Sequence, residues 1–382
     1  MAASGNEAVT SRSMYKPVAM SKSVTFINRK IDQPMLNNEQ NQQGGDNAMN
    51  VQAGRDVVVQ GITYTEARQI ATDVYRANAL EMQGLAKQVA TERAEHLIDQ
   101  FLNKLQAKGV PNISEAASPD FQHILFEAQK AFARAGDDAT EAVLVDLLVQ
   151  RATESDRNIR QVVLNEAVIA VARLTPQQID LLSLIFLLRH CATPGLTLRM
   201  QIIGPLLMAA QFTTAIPEGD AVLSYLVYAG VAQHTLAPTS MQTILKGEYP
   251  GLLSRGFEKP VFDTLIAAEP EVEKMLVPSE ANPELVQVRG QSEPAVNSLC
   301  EQLGISEHAR FNLGRKLQER PLADNDIEAL FAPTSEAVKT LFHTWNKSSV
   351  QHYVLTSVGQ AIGHANAVRR RLVTADLGVW IK

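Results

Sequence analysis

From Thr63 onward the chain offers helical periodicity punctuated by glycine and proline, and this confines it to folds in which helices pack on helices. The breaks fall at Gly136-Asp137-Asp138, Thr175-Pro176, Thr193-Pro194-Gly195, Pro217, Pro238 and Pro250-Gly251. Between them the spacing predicts helices over 139–153, 157–173, 176–191, 196–213 and 219–234, with Pro205 bending the fourth. Thr175–Gln178 is the clearest start: threonine as N-cap, proline at the first helical position, glutamine three residues after the cap. Residues 250–290 are proline-rich and irregular and read as a connection between domains. A smaller helical domain is expected over 291–382, with helices at 293–303, 306–319, 324–331, 335–346 and 350–372.

The main helical domain is expected over 63–250 and opens with a capping box, Thr63 followed by Glu66. No proline interrupts the chain from there to Lys108, and Ile70, Val74, Met82, Leu85, Val89, Leu97, Phe101 and Leu105 make a narrow apolar seam. One long helix over 64–108, about 66 Å at 1.5 Å per residue, is the expectation, with Gly84 as the kink point. A seam this thin suits packing on one side against the chain's own helices. A stalk between protomers is the alternative.

Residues 44–61 are the exception to the helical pattern. Gly45-Asp46 and Gly54-Arg55-Asp56 each lead into a β-prone run, in which Met49 and Val51 alternate with polar residues and Val57, Val58 and Val59 are apolar on both faces. Glycine permits positive φ at each corner, and aspartate can cap the backbone there. A lone hairpin is marginal in water, and its backbone donors and acceptors still need partners. Copies of the same segment on neighbouring chains supply them most simply, so Gly45, Asp46, Val51, Gly54, Asp56, Val57 and Val59 are the expected self-association residues. A hairpin packed on its own helices and a disordered segment are the alternatives. Residues 1–43 carry five basic and three acidic residues, show no sustained period and read as a disordered tail with a brief β-prone stretch at Val24–Ile27.

Composition narrows the function classes. A chain of 382 residues that is 45% apolar and 20% charged can bury a large core, and a net charge of −6 gives no general attraction to nucleic acid. Cys191 and Cys300 sit far apart in apolar surroundings and read as free buried thiols. No apolar run follows the scattered N-terminal basic residues, so no signal peptide is expected. Leu181–Leu188 is the most apolar stretch; as helix it spans about 12 Å, well short of the about 30 Å of a bilayer core. A cytoplasmic protein is the resulting expectation.

The motifs of common chemistry are missing from the sequence. The eight histidines show no metal-ligand spacing, and GxxxxGK[ST], GxGxxG and GxSxG do not occur. Neither metal nor cofactor is expected. Asp137/Asp138 and Glu271/Glu273 lie at turns or on solvated segments. One polar cluster stands out, in Leu355–Asn366: Gly359 and Gly363 are one helical turn apart and leave a flat patch for close helix packing, with His364 and Asn366 alongside as a candidate pocket. Arg369–Arg371 follow near a helix C-terminus, where arginines complement the dipole, and nucleic acid is not favoured as a partner.

Several segments taken together resemble a family of uncharacterised bacterial proteins of about this length. They are QAGRDV at 52–57, Pro119–Gln122, Val145–Leu148, Asn165-Glu166, Leu174-Thr175, the LTSVGQAIGHAN run of Leu355–Asn366, and Ala375–Ile381. The QAGRDV-type element also resembles short segments preceding effector domains in bacterial and fungal immune proteins, some of which are proposed to assemble by β-stacking. Ala167–Leu188 is faintly similar to abortive-infection proteins. Taken with the helical periodicity, the missing catalytic motifs and the β-prone element, the expectation is a mainly α, non-enzymatic, homo-oligomerising protein whose helical body meets a protein partner; the likeness of the QAGRDV-type element adds a role as sensor or effector in anti-phage defence. Two other classes stand beside this expectation: a membrane-perturbing effector using the apolar helices at 181–212, and an enzyme with a site near His364.

Overall fold

The computed structural model describes residues 62–78, 84–110, 114–154 and 157–382. The β-prone element at 44–61, with all seven expected self-association residues, lies outside them. The described chain is mainly α-helical, as its periodicity dictates.

The single helix expected over 64–108 is instead a pair, α1 (Tyr64–Asn78) and α2 (Gly84–Ala107). They run antiparallel: Arg68 pairs with Asp99 at 2.8 Å, Arg76 with Glu95 at 2.9 Å, and the Tyr75 hydroxyl donates to the Ala90 carbonyl at 3.2 Å. Gly84 opens α2 at φ 59°, a left-handed value that a continuous helix cannot contain. Folding back buries Ala67, Ala71 and Tyr75 of α1, which lie beside the expected seam and which a straight 44-residue helix would leave in water.

Next come α3 (Pro119–Ala135), α4 (Asp138–Arg151), α5 (Ile159–Val171) and α6 (Pro176–Arg189). Leu181, Leu182, Leu184, Ile185 and Phe186 of α6 are all fully buried, so this helix is apolar around its circumference and occupies the middle of the core. Its start is the capping box read from the sequence: the Gln178 amide donates to Thr175 Oγ1 at 3.3 Å, and the Thr175 amide donates to Gln178 Oε1 at 2.8 Å. Thr175→Ala should therefore lower the unfolding free energy by about 1 kcal/mol in urea titration.

The helix expected over 196–213 is shorter. A 3-10 turn at Arg199–Ile202 leads into α7 (Ile203–Ala210), whose first turn holds Pro205, where the missing N–H costs least. Then follow α8 (Asp220–Tyr228), β1 (Ala232–His234), α9 (Met241–Glu248), α10 (Asp263–Ala268), β2 (Leu276–Pro278), β3 (Val286–Val288), α11 (Glu293–Gln302), α12 (Glu307–Glu319), α13 (Asp324–Phe331), α14 (Glu336–Lys347), β4 (Tyr353–Leu355) and α15 (Ser357–Arg369). The sequence pattern predicts helix at both β1 and β4, within the expected spans 219–234 and 350–372. They pair antiparallel with Ala232 opposite Leu355 and His234 opposite Tyr353, across more than a hundred residues of chain. β2 and β3 form a second antiparallel pair.

Packing also redraws the expected domain boundaries. Residues 250–290 are no mere connection, because Phe257, Phe262, Val272 and Met275 build a small second core with Val296, Cys300, Leu313 and Leu317 of α11 and α12. Helices α13, α14 and α15 return to the main core, where Ile327, Phe342, Trp345 and Ile362 join the α6 side chains. The expected C-terminal domain is thus divided between the two cores.

Candidate functional site

The sequence-nominated cluster is on α15. Thr356 caps the helix: its hydroxyl accepts from the Gly359 amide at 3.2 Å and donates to the Gly230 carbonyl at 2.7 Å, locking the helix start to the end of α8. A Cβ placed on Gly359 would lie 1.9 Å from the Val231 carbonyl oxygen, and one on Gly363 would lie 2.7 Å from that of Leu182. Both glycines therefore exist so that backbone can meet backbone, and α15 lies directly on α6.

His364 and Asn366 follow on the buried faces of the same helix and are 3% and 0% exposed. Asn366 Nδ2 donates to Asp180 Oδ1 at 2.8 Å and to Ser183 Oγ at 2.7 Å, while its Oδ1 accepts from Arg369 Nε at 3.0 Å and Nη2 at 2.8 Å. Arg370 closes the network on Asp180 Oδ2 at 2.6 Å. Every hydrogen-bonding atom of the Asn366 side chain is thus committed, its amide nitrogen to α6 and its oxygen to Arg369 of its own helix.

His364 Nε2 lies 2.9 Å from the Ala375 carbonyl and must be the protonated nitrogen, because a carbonyl only accepts. Its ring meets Phe186 edge-on at 5.8 Å and Trp380 at 5.4 Å. Burial pushes its pKa below the ordinary 6.5; the bond to Ala375 and the charges of Asp146 and Asp376 oppose that shift, and Arg160 adds to it. Nδ1 is buried and finds no hydrogen-bond partner among the described residues. The arrangement holds the core together.

A solvent-facing site lies nearby, between α2 and α4, and sequence reasoning did not find it. It is a groove of about 570 Å³ lined by His96, Gln100, Asn103 and Lys104 of α2 and Glu141 of α4, among others. His96 Nε2 stands 3.0 Å from Glu141 Oε1, and Lys104 Nζ stands 2.7 Å from Asp146 Oδ1. Burial raises the Glu141 pKa, with His96 opposing and Asp138 adding to the rise. Asp146 is almost wholly buried, its Oδ2 has no partner among the described residues, and its charge reaches His364 and Arg369. Asp146 therefore links the groove to α15. The available signal was the spacing of 96, 100, 103 and 104, one polar helix face, which is indistinguishable in sequence from an ordinary solvated face.

The remaining candidates divide clearly. Asp137 is the N-cap of α4, accepting from the Thr140 amide at 2.9 Å, and Glu271 and Glu273 pair with Lys274 and Lys259 at the surface. Cys191 and Cys300 are free thiols; burial first, and Glu248 second, push the Cys191 thiol up to about 12, which keeps it protonated and a poor nucleophile. No group of three or more His, Cys, Asp or Glu side chains among the described residues could hold a metal ion.

A protein-family model whose description reads “:-like” matches residues 61–381. The segments at 119–122, 145–148, 165–166, 174–175, 355–366 and 375–381 lie inside that span, and QAGRDV at 52–57 lies outside it. No match was found among curated proteins, and none among solved structures.

Proposed function

The chain belongs to the family that this match over residues 61–381 defines, and from that premise we propose that it acts by assembly and binding. Residues 44–61 join copies of the chain through β-pairing, and the helical body recognises a protein partner, with the α2–α4 groove as the contact surface. The observation that carries this reading is the commitment of the α15 polar groups to packing, while the groove presents its amides, ammonium and imidazole to solvent. A role as sensor or effector in bacterial anti-phage defence extends the proposal and rests on the QAGRDV-type element.

Deleting residues 37–61 should lower the oligomer mass measured by light scattering. An unchanged mass overturns the assembly reading.

A catalytic reading has one observation in its favour, and it moves the site from His364 to the groove. The His96–Glu141 pair, with a carboxyl whose proton affinity is raised by burial, is the arrangement expected of an acid–base couple. If His96→Asn abolished the cellular phenotype while leaving oligomer mass and partner capture intact, catalysis would replace recognition there. The membrane reading would need α6 to leave the core, with Leu184, Ile185 and Phe186 all fully buried against other helices. No helix among the described residues is long and apolar enough to cross a membrane.

A further inference from the structure

Residues 373–382 leave α15 through Arg371, a non-glycine residue at φ 60°, and cross the ends of α6 and α15 without joining an α-helix or a strand. Four anchors hold them. The Ala375 carbonyl accepts from His364, Asp376 pairs with Arg160 at 2.8 Å, the Trp380 indole N–H donates to the His190 carbonyl at 2.6 Å, and Leu377 and Ile381 are buried. Trp380 covers Phe186 at 5.0 Å between ring centres, and the His190 ring stacks on the same phenylalanine at 6.1 Å.

Two imidazoles therefore pack against the phenylalanine that this segment covers. His364 Nδ1 and His190 Nε2 are both buried with no hydrogen-bond partner among the described residues. Each ring is accommodated as a neutral group, and a second proton on either would have no acceptor and little water. We propose that residues 373–382 are an acid-released strap, freed from α6 and α15 when His190 and His364 take up protons.

The surrounding charges do not cancel this. At His364, Asp146 of α4 and Asp376 of the strap favour the imidazolium, Arg160 of α5 opposes it, and burial outweighs them all. At His190, burial acts first and the adjoining Arg189 acts in the same direction. Both pKa values are depressed in the closed form, so the stability they contribute is present above the ordinary 6.5 and is lost as pH falls through the lowered values. With two protons taken up, the open fraction rises by up to about 100-fold per pH unit within that window; with one, by about tenfold.

Hydrogen–deuterium exchange of the full chain between pH 7.5 and 5, corrected for intrinsic rates, reads this directly. The amides of Val379, Trp380 and Ile381, bonded to Asp376 and Leu377 within the strap, should lose protection while α15 keeps its own. Constant protection of these amides down to pH 5 overturns the proposal, as does loss in step with α15. The double variant His190→Gln/His364→Gln should show no such pH dependence, and an unchanged acid release in it also overturns the proposal. Should that variant not fold, His190→Gln alone must reduce the slope to about tenfold per pH unit, and an undiminished slope decides against the strap. This outcome is independent of the assembly reading, whose test removes a different segment.

Discussion

Arg151→Ala should cost about 3–5 kcal/mol of folding stability, the range observed when one partner of a buried ionic network is removed. Arg151 closes α4 and is 0% exposed. Its guanidinium donates from Nε to Asn165 Oδ1 at 2.9 Å, from Nη1 to Glu115 Oε2 at 3.0 Å and the Glu154 carbonyl at 3.1 Å, and from Nη2 to Asp120 Oδ2 at 2.8 Å. It also lies 5.6 Å from the Phe121 ring centre. The planar fork thus ties α3, α4 and α5 together, and truncation would leave a cavity and strand the acceptors around it. Lysine restores the charge but not the fork, so Arg151→Lys should recover only a minor part of the loss. The same contact predicts a pH effect. Arg151 first, and Asn165 next, hold the Asp120 carboxyl below its ordinary 3.8, so this contribution is present above that value and is lost as pH falls through the lowered one. Urea unfolding of wild type and both variants at neutral and acid pH checks the whole set; a loss under 1 kcal/mol for Arg151→Ala would contradict it.

Gly359→Ala should destabilise the protein by about 3 kcal/mol, at the upper end of overpacking costs. In an ordinary helix interior the same change gains about 0.8–1 kcal/mol, so even the sign is diagnostic. The new methyl would sit 1.9 Å from the Val231 carbonyl oxygen and 2.9 Å from its carbon, and backbone has no rotamer with which to move away. Relief would require α15 to back off α6 and α8. That movement would stretch the bond from the Thr356 amide to the Val231 carbonyl, now 3.2 Å, and the adjoining β1–β4 pair. Gly363→Ala should cost less, since its closest atom is 2.7 Å away and one of its three nearest is the Phe186 Cβ. Thermal unfolding of the two variants gives the comparison, and a stabilised Gly359→Ala protein would refute the close approach.

Much of the architecture was legible because it is local. The α6 start depends on Thr175, Pro176 and Gln178 alone, and the structure begins the helix at Pro176 with both capping bonds made. The errors all sit where a distant partner intervenes. The segments 232–234 and 353–355 read as parts of the helices expected over 219–234 and 350–372, and each becomes a strand only because the other lies beside it. The turn-back of α1 on α2 likewise depends on which surfaces the rest of the chain offers. Of the candidate residues, the glycine pair was visible by its spacing. The groove was hidden, because His96 and Lys104 find Glu141 and Asp146 only after two helices have docked.

By itself, then, the sequence determined a mainly helical chain, the capped start of α6, and a helix flat enough at Gly359 and Gly363 to be approached closely. These follow from capping, side-chain volume and the 3.6-residue period, interactions that reach only a few positions along the chain. Only the tertiary structure decided that α15 crosses back to α6, that residues 257–317 hold a core of their own, and that Asp146 stands between the groove and His364. Those outcomes turn on which apolar faces bury one another and which charges are then stranded together. That free energy belongs to the packed whole and has no period along the chain.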